Sequence, residues 1–110
     1  MLSCSGSGGR QYLNYEVSES GTYFNIRAKY DKQYADNVDG FMDRYFNRYN
    51  NISFTNTEMD ANLTLDDGTS FYIKKQPGYI AIKFNKEKNT PAAFGQMKLF
   101  AERLKTVMKQ

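Results

Sequence analysis

The chain has 110 residues, 40% of them hydrophobic, with 9 Tyr and 8 Phe but no Trp: enough for one domain with a modest, aromatic-rich core. Its net charge of +3 is unevenly spread, since residues 1–70 carry 6 basic and 10 acidic side chains and residues 71–110 carry 9 and 2, which points to a polyanionic partner or to attraction between the two halves. The lack of His, the lone Cys4 and the lack of a long apolar run argue against histidine catalysis, an internal disulfide, a cysteine metal cage and a membrane-spanning helix.

Residues 1–9, MLSCSGSGG, are small, polar and glycine-rich, the composition of a flexible arm. Leu2-Ser3-Cys4 followed by Ser-Gly-Ser-Gly-Gly resembles the processing site of bacterial lipoproteins, where a small residue precedes a cysteine that is lipidated and a tether follows. The resemblance covers these nine residues alone. It implies a lipid anchor at Cys4 and a place at the bacterial cell envelope, periplasmic or on the surface. A plain flexible terminus on a cytoplasmic protein is the alternative.

Gln11 to Ser18 and Thr22 to Tyr30 read as a hairpin. With Ser20-Gly21 as a two-residue loop, Val17 opposes Phe24, Tyr15 opposes Ile26 and Leu13 opposes Ala28, all on one apolar face. Asp31 is placed to cap a helix running to about Tyr49. Tyr34, Val38, Phe41, Met42, Tyr45, Phe46 and Tyr49 then form its apolar stripe. Asp36, Asp39 and Asp43 recur at spacings that put three carboxylates on the opposite, solvated face, with a cation site or acidic docking surface as the other reading. Ile52 to Thr57 reads as a linker or a short extra strand.

Glu58 to Lys86 reads as three antiparallel strands. A bulged loop closed by Gly68 sets Leu63 against Phe71, Ala61 against Ile73 and Met59 against Lys75. The Pro77-Gly78 turn sets Gln76 against Tyr79 and Ile73 against Ile82. One face then carries Met59, Ala61, Leu63, Phe71, Ile73, Ile80, Ile82 and Phe84; the other carries Asp60, Asn62, Thr64, Tyr72, Lys74, Ala81 and Lys83. Thr90 and Pro91 mark the start of a second helix, with Phe94, Met97, Phe100, Ala101, Leu104, Val107 and Met108 as its apolar stripe.

The order ββ-α-βββ-α predicts an α+β domain over residues 10–110, a five-stranded, mostly antiparallel sheet carrying two amphipathic helices. That order is similar to the longin, roadblock and profilin-like families, which share it with different functions and place helices on both sides of the sheet. The polar reverse face of these strands instead predicts both helices on one side.

No phosphate loop, paired nucleophile and base, or zinc motif stands in the sequence, so a non-catalytic protein without cofactor or metal is expected. Asp66-Asp67-Gly68 reads as a turn, and the Asn51 and Asn62 glycosylation patterns as chance. Lys86, Lys88, Lys98, Lys105 and Lys109 read as solubilising charge, or as attraction to an anionic surface. Tyr12, Tyr23, Arg27, Lys29, Tyr72, Lys74 and Lys83 mix aromatic and basic groups on the open sheet face. They are the candidate surface for a protein partner or for self-association. A cytosolic binder of polyanions or single-stranded nucleic acid is the alternative, and an inhibitor or immunity-type partner is a third reading.

Overall fold

A computed structural model of the chain describes residues 13–46, 54 and 58–108. The strands β1 (Leu13–Glu19), β2 (Tyr23–Tyr30), β3 (Met59–Thr64), β4 (Ser70–Gln76) and β5 (Tyr79–Asn85) form one antiparallel sheet. Its order is β1-β2-β5-β4-β3. The helices α1 (Ala35–Phe46) and α2 (Pro91–Met108) follow the first hairpin and the meander.

The meander has the expected register. Gly68 (φ 90°) and Gly78 (φ 85°) take the left-handed conformation that both turns require, and Leu63↔Phe71, Ile73↔Ile82 and Gln76↔Tyr79 are partners. The first hairpin is shifted by two residues: Val17 pairs with Ile26, Tyr15 with Ala28 and Leu13 with Tyr30. The cause is Ser20. Its N–H donates to the Tyr23 carbonyl (2.8 Å), while its Oγ accepts from the backbone N–H of Tyr23 (3.0 Å). Ser20 and Tyr23 therefore close the turn, leaving Gly21 and Thr22 as the loop. An even shift keeps every side chain on its face.

Phe24, Ile26 and Ala28 of β2, Phe71 and Ile73 of β4, and Ile80, Ile82 and Phe84 of β5 are buried in one cluster. Val38, Met42 and Phe46 of α1 and Met97, Phe100, Ala101, Leu104 and Met108 of α2 join the same cluster. Both helices thus lie on one face of the sheet. Phe46 is the hub of an aromatic set, with ring centroids 4.9 Å from Phe100, 5.4 Å from Phe71 and 5.7 Å from Phe54. Tyr45 donates to the Gln96 carbonyl (3.0 Å), tying α1 to α2. Tyr15 donates to the Ala101 carbonyl, tying β1 to α2. The edge strands are covered less than expected, since Val17 and Ala61 point to the helix side yet are exposed.

Asp31 caps a short 3-10 turn (Lys32–Tyr34), accepting from the Gln33 N–H (3.1 Å), rather than α1 itself. Thr90 caps α2 as expected, its Oγ accepting from the Ala93 N–H (3.0 Å). Past β5 the chain enters another 3-10 turn (Lys86–Lys88), capped by Asn85. The Asn89 side chain then serves β4: the Ser70 N–H donates to Asn89 Oδ1 (2.9 Å) and Asn89 Nδ2 donates to the Ser70 carbonyl (3.0 Å).

The three α1 carboxylates do not share a solvated face. Asp36 is exposed. Asp43 accepts from the Phe54 N–H (2.6 Å). Asp39 is buried and meets Lys75 Nζ at 2.9 Å, with the two side chains 7% and 3% exposed. Lys75 occupies a core position of β4, in alternation with Phe71 and Ile73, and its ammonium needs a carboxylate there. Next to this pair the Tyr30 hydroxyl is buried and has no hydrogen-bond partner among the described residues. Burial, and then the Asp39 charge, push its pKa up to about 12; burial likewise raises that of Tyr15 to about 12.

Two measurements follow. In urea denaturation, Lys75→Ala alone is expected to cost about 3–5 kcal/mol, because it strands the Asp39 charge, whereas Asp39→Leu with Lys75→Met should be near neutral or stabilising. A double variant as unstable as the single one refutes this role. Secondly, Tyr15 and Tyr30 hold their protons more tightly folded (about 12) than at the ordinary value of 10.0. Their contribution is complete below pH 10 and is lost as pH rises from 10 to 12. Tyr30→Phe, which removes an unpartnered hydroxyl, should barely change stability at neutral pH and flatten this alkaline decline; an unchanged decline would contradict the assignment.

Candidate functional site

With α1 and α2 on one side, the other side of the sheet is left uncovered among the described residues. The strand order makes β5 its centre, and the registers stack the open-face residues of β2, β5 and β4 into three rows. The first row is Asn25, Lys83 and Tyr72; the second Arg27, Ala81 and Lys74; the third Lys29, Tyr79 and Gln76. Ala81, a methyl group, sits at the middle of this grid. Its cross-strand partners are Arg27 and Lys74, whose Cα atoms are about 10 Å apart across two strand spacings. Lys83 and Tyr79 stand about 7 Å away along β5. A small residue ringed by long ones makes a shallow socket, and four of its eight neighbours are cationic.

The middle row continues outward. Glu16 pairs with Arg27 on β1, and Asp60 pairs with Lys74 on β3. Across all five strands it reads acid, base, alanine, base, acid. Arg27 Nη2 donates to Glu16 Oε1 at 3.0 Å, an exposed pair that solvent and salt screen. On the other side Asp60 is engaged differently: Tyr72 donates to Asp60 Oδ1 (2.5 Å), and that bond raises the Tyr72 pKa above its ordinary value. Lys74 is left without an ion pair among the described residues. The Lys83 ammonium lies 4.5 Å from the centre of the Tyr23 ring, a cation-π contact. The Tyr79 hydroxyl is near enough to act electrostatically on both Arg27 and Tyr72, while Arg27 and Tyr72 themselves reach outward to Glu16 and Asp60.

Of the residues singled out by sequence, Tyr23, Arg27, Lys29, Tyr72, Lys74 and Lys83 share this face. Tyr12 and Cys4 lie outside the described residues. Ala81 and Tyr79, the centre and one wall of the socket, carry no signal of their own; only the two registers together with the strand order reveal them. Of the described late lysines, Lys86 and Lys98 come together over the Phe94 ring, on the helix side of the sheet. Lys86 pairs with Glu19 (2.9 Å), Lys98 lies over the Phe94 ring (4.7 Å) and Lys105 over the Tyr15 ring (5.6 Å).

A second concavity of about 1070 Å³ lies on the helix side, between α1, the start of α2 and the β3–β4 turn, with Phe41, Arg44, Tyr45, Phe100 and Arg103 on its walls. No described helix is long and apolar enough to cross a membrane. Comparison of the chain with protein-family models, with curated proteins and with solved structures finds no match.

Proposed function

We propose that this domain is a non-catalytic binding or accessory module whose working surface is the open face of the sheet, and that its partner is another protein. The observation that supports this most directly is the row arrangement around Ala81. Charged and aromatic side chains are gathered on one side of a sheet whose other side carries the core and both helices. Aromatic and arginine side chains are favoured at protein interfaces, and a rigid antiparallel sheet holds them in fixed relative positions. We also propose that the protein is exported and held at the bacterial cell envelope through a lipid on Cys4. The support is the Leu2-Ser3-Cys4 sequence with its Ser/Gly tether, which would let the domain reach a partner from an anchored position. A polyanion binder in the cytosol is the second reading, favoured by the four cations around Ala81.

A photo-crosslinking amino acid in place of Tyr79, in the native cell, should give a discrete protein adduct that Lys74→Glu removes. The same amino acid in place of the exposed Glu102, on the helix side, should give none. Adducts from position 102 and not from 79 would overturn the assignment of the working face. The anchor is tested separately: intact-mass analysis of the full-length protein from its native cell should show lipid on Cys4, and an unmodified Cys4 removes that part of the proposal.

A further inference from the structure

We propose that the Ala81 socket takes the carboxylates of an acidic segment on the partner protein, flanked there by basic residues. The proposal rests on the reading of the open face as the working surface and names what that surface recognises.

The argument is one of charge order. The middle row presents Glu16, Arg27, Ala81, Lys74 and Asp60 in strand order β1-β2-β5-β4-β3. The two cations nearest the centre flank a residue too short to fill the space between them, so an approaching carboxylate can descend toward Ala81 between guanidinium and ammonium. Arg27 uses its Nη2 on Glu16, and a guanidinium carries further donors suited to a second carboxylate. Lys74 has no ion pair among the described residues, because Asp60 accepts from Tyr72. Farther out, Glu16 and Asp60 call for basic groups. The complementary surface therefore reads base, acid, acid, base, over a span of about 19 Å set by four strand spacings. An extended peptide laid across the strands places alternate side chains about 7 Å apart. Seven residues thus cover the row, with acids at the third and fifth positions and bases at the first and last.

The same order disfavours other occupants. A second copy docked face to face about a two-fold axis through Ala81 sets Arg27 against either Lys74 or another Arg27, so like charges meet. A nucleic-acid strand meets a carboxylate at both edges of the patch. It also finds the Tyr23 ring engaged by the Lys83 ammonium and the Asp60 carboxylate held at the Tyr72 hydroxyl, so a stacked base competes with a cation-π contact and a phosphate meets a negative charge. Alternating charge sets register for a protein partner, whereas a uniform polyanion is repelled at the rims.

The test uses the full chain, labelled for NMR, and three probes. The first is a seven-residue peptide with Lys at its ends, Glu at the third and fifth positions and Ser elsewhere. The second is the same composition with Lys and Glu exchanged, and the third is an oligothymidine of similar length. The first peptide should shift the amide and methyl signals of Ala81 together with those of Arg27 and Lys74. It should bind about tenfold more tightly than the exchanged peptide and lose that preference in Ala81→Lys and in Lys74→Gln. Both substitutions are at the surface, and unchanged circular dichroism shows that each variant is folded. Equal responses to the two peptides, or none at Ala81, overturn the acidic-segment proposal. A stronger, steeply salt-dependent response to oligothymidine assigns the socket to nucleic acid instead. If crosslinking through position 79 persists while the peptides fail, the working face stands and only its acidic ligand falls.

Discussion

A lysine ammonium and an aspartate carboxylate 2.9 Å apart, both nearly sealed from water, set the geometry on which the remaining contacts rest. Neither group tolerates burial as an isolated charge, and the attraction between the two offsets part of the desolvation of each. The pair therefore admits one azimuth of α1 over β4. With Asp39 held against Lys75, Asp43 one turn on reaches the Phe54 N–H, and Phe46 falls among Phe54, Phe71 and Phe100. A hydrophobic stripe alone would let α1 rotate or slide by a fraction of a turn at modest cost. The ion pair contributes specificity more than stability, and it holds α1 on the side of the sheet where the apolar stripe of α2 also packs.

That placement creates the open face. Every strand alternates, and the alternate set not used by the helices stays in contact with water. β5 lies at the centre because the last strand of the meander is inserted between β2 and β4. The residues of β5 thus acquire neighbours on both sides from distant parts of the chain. Arg27 comes from the acid-rich part of the chain and Lys74 from the basic part, yet they share Ala81 as their cross-strand partner. The uneven distribution of charge along the chain is partly resolved in three dimensions by Glu19–Lys86 and Asp39–Lys75, each an acid of the first part paired with a base of the second. The charges around Ala81 are what this internal pairing leaves over.

The class of fold, the one-sided helices and the meander register were legible in the sequence because each has a local physical cause. Gly68 and Gly78 demand particular turns, and alternation of apolar residues leaves the strands one workable register. The first hairpin was legible in its faces and not in its pairing. Its register depends on which residue closes the turn, and a serine hydroxyl that accepts from Tyr23 competes with the backbone arrangement expected of a Ser-Gly loop. Asp39 was misplaced because helical spacing groups it with Asp36 and Asp43. The counter-signal was Lys75, a cation at a core position of a strand that otherwise alternates apolar residues inward. Six of the seven surface residues, Tyr23, Arg27, Lys29, Tyr72, Lys74 and Lys83, were legible from alternation alone. Their arrangement around Ala81 was not, because strand order is a long-range property that no local pattern encodes.

The amide of Asn89 has one further consequence. It occupies the place of a missing residue in the β-ladder, offering Ser70 an acceptor and a donor together from a single side chain. Its Nδ2 also donates to the Asn85 carbonyl (2.8 Å), so one planar group bridges the start of β4 and the end of β5. An aspartate in its place keeps the bond from the Ser70 N–H but sets a carboxylate oxygen against two carbonyl oxygens. The join between β4 and β5, just before the second helix begins, is therefore held by one amide group whose donor an aspartate cannot supply.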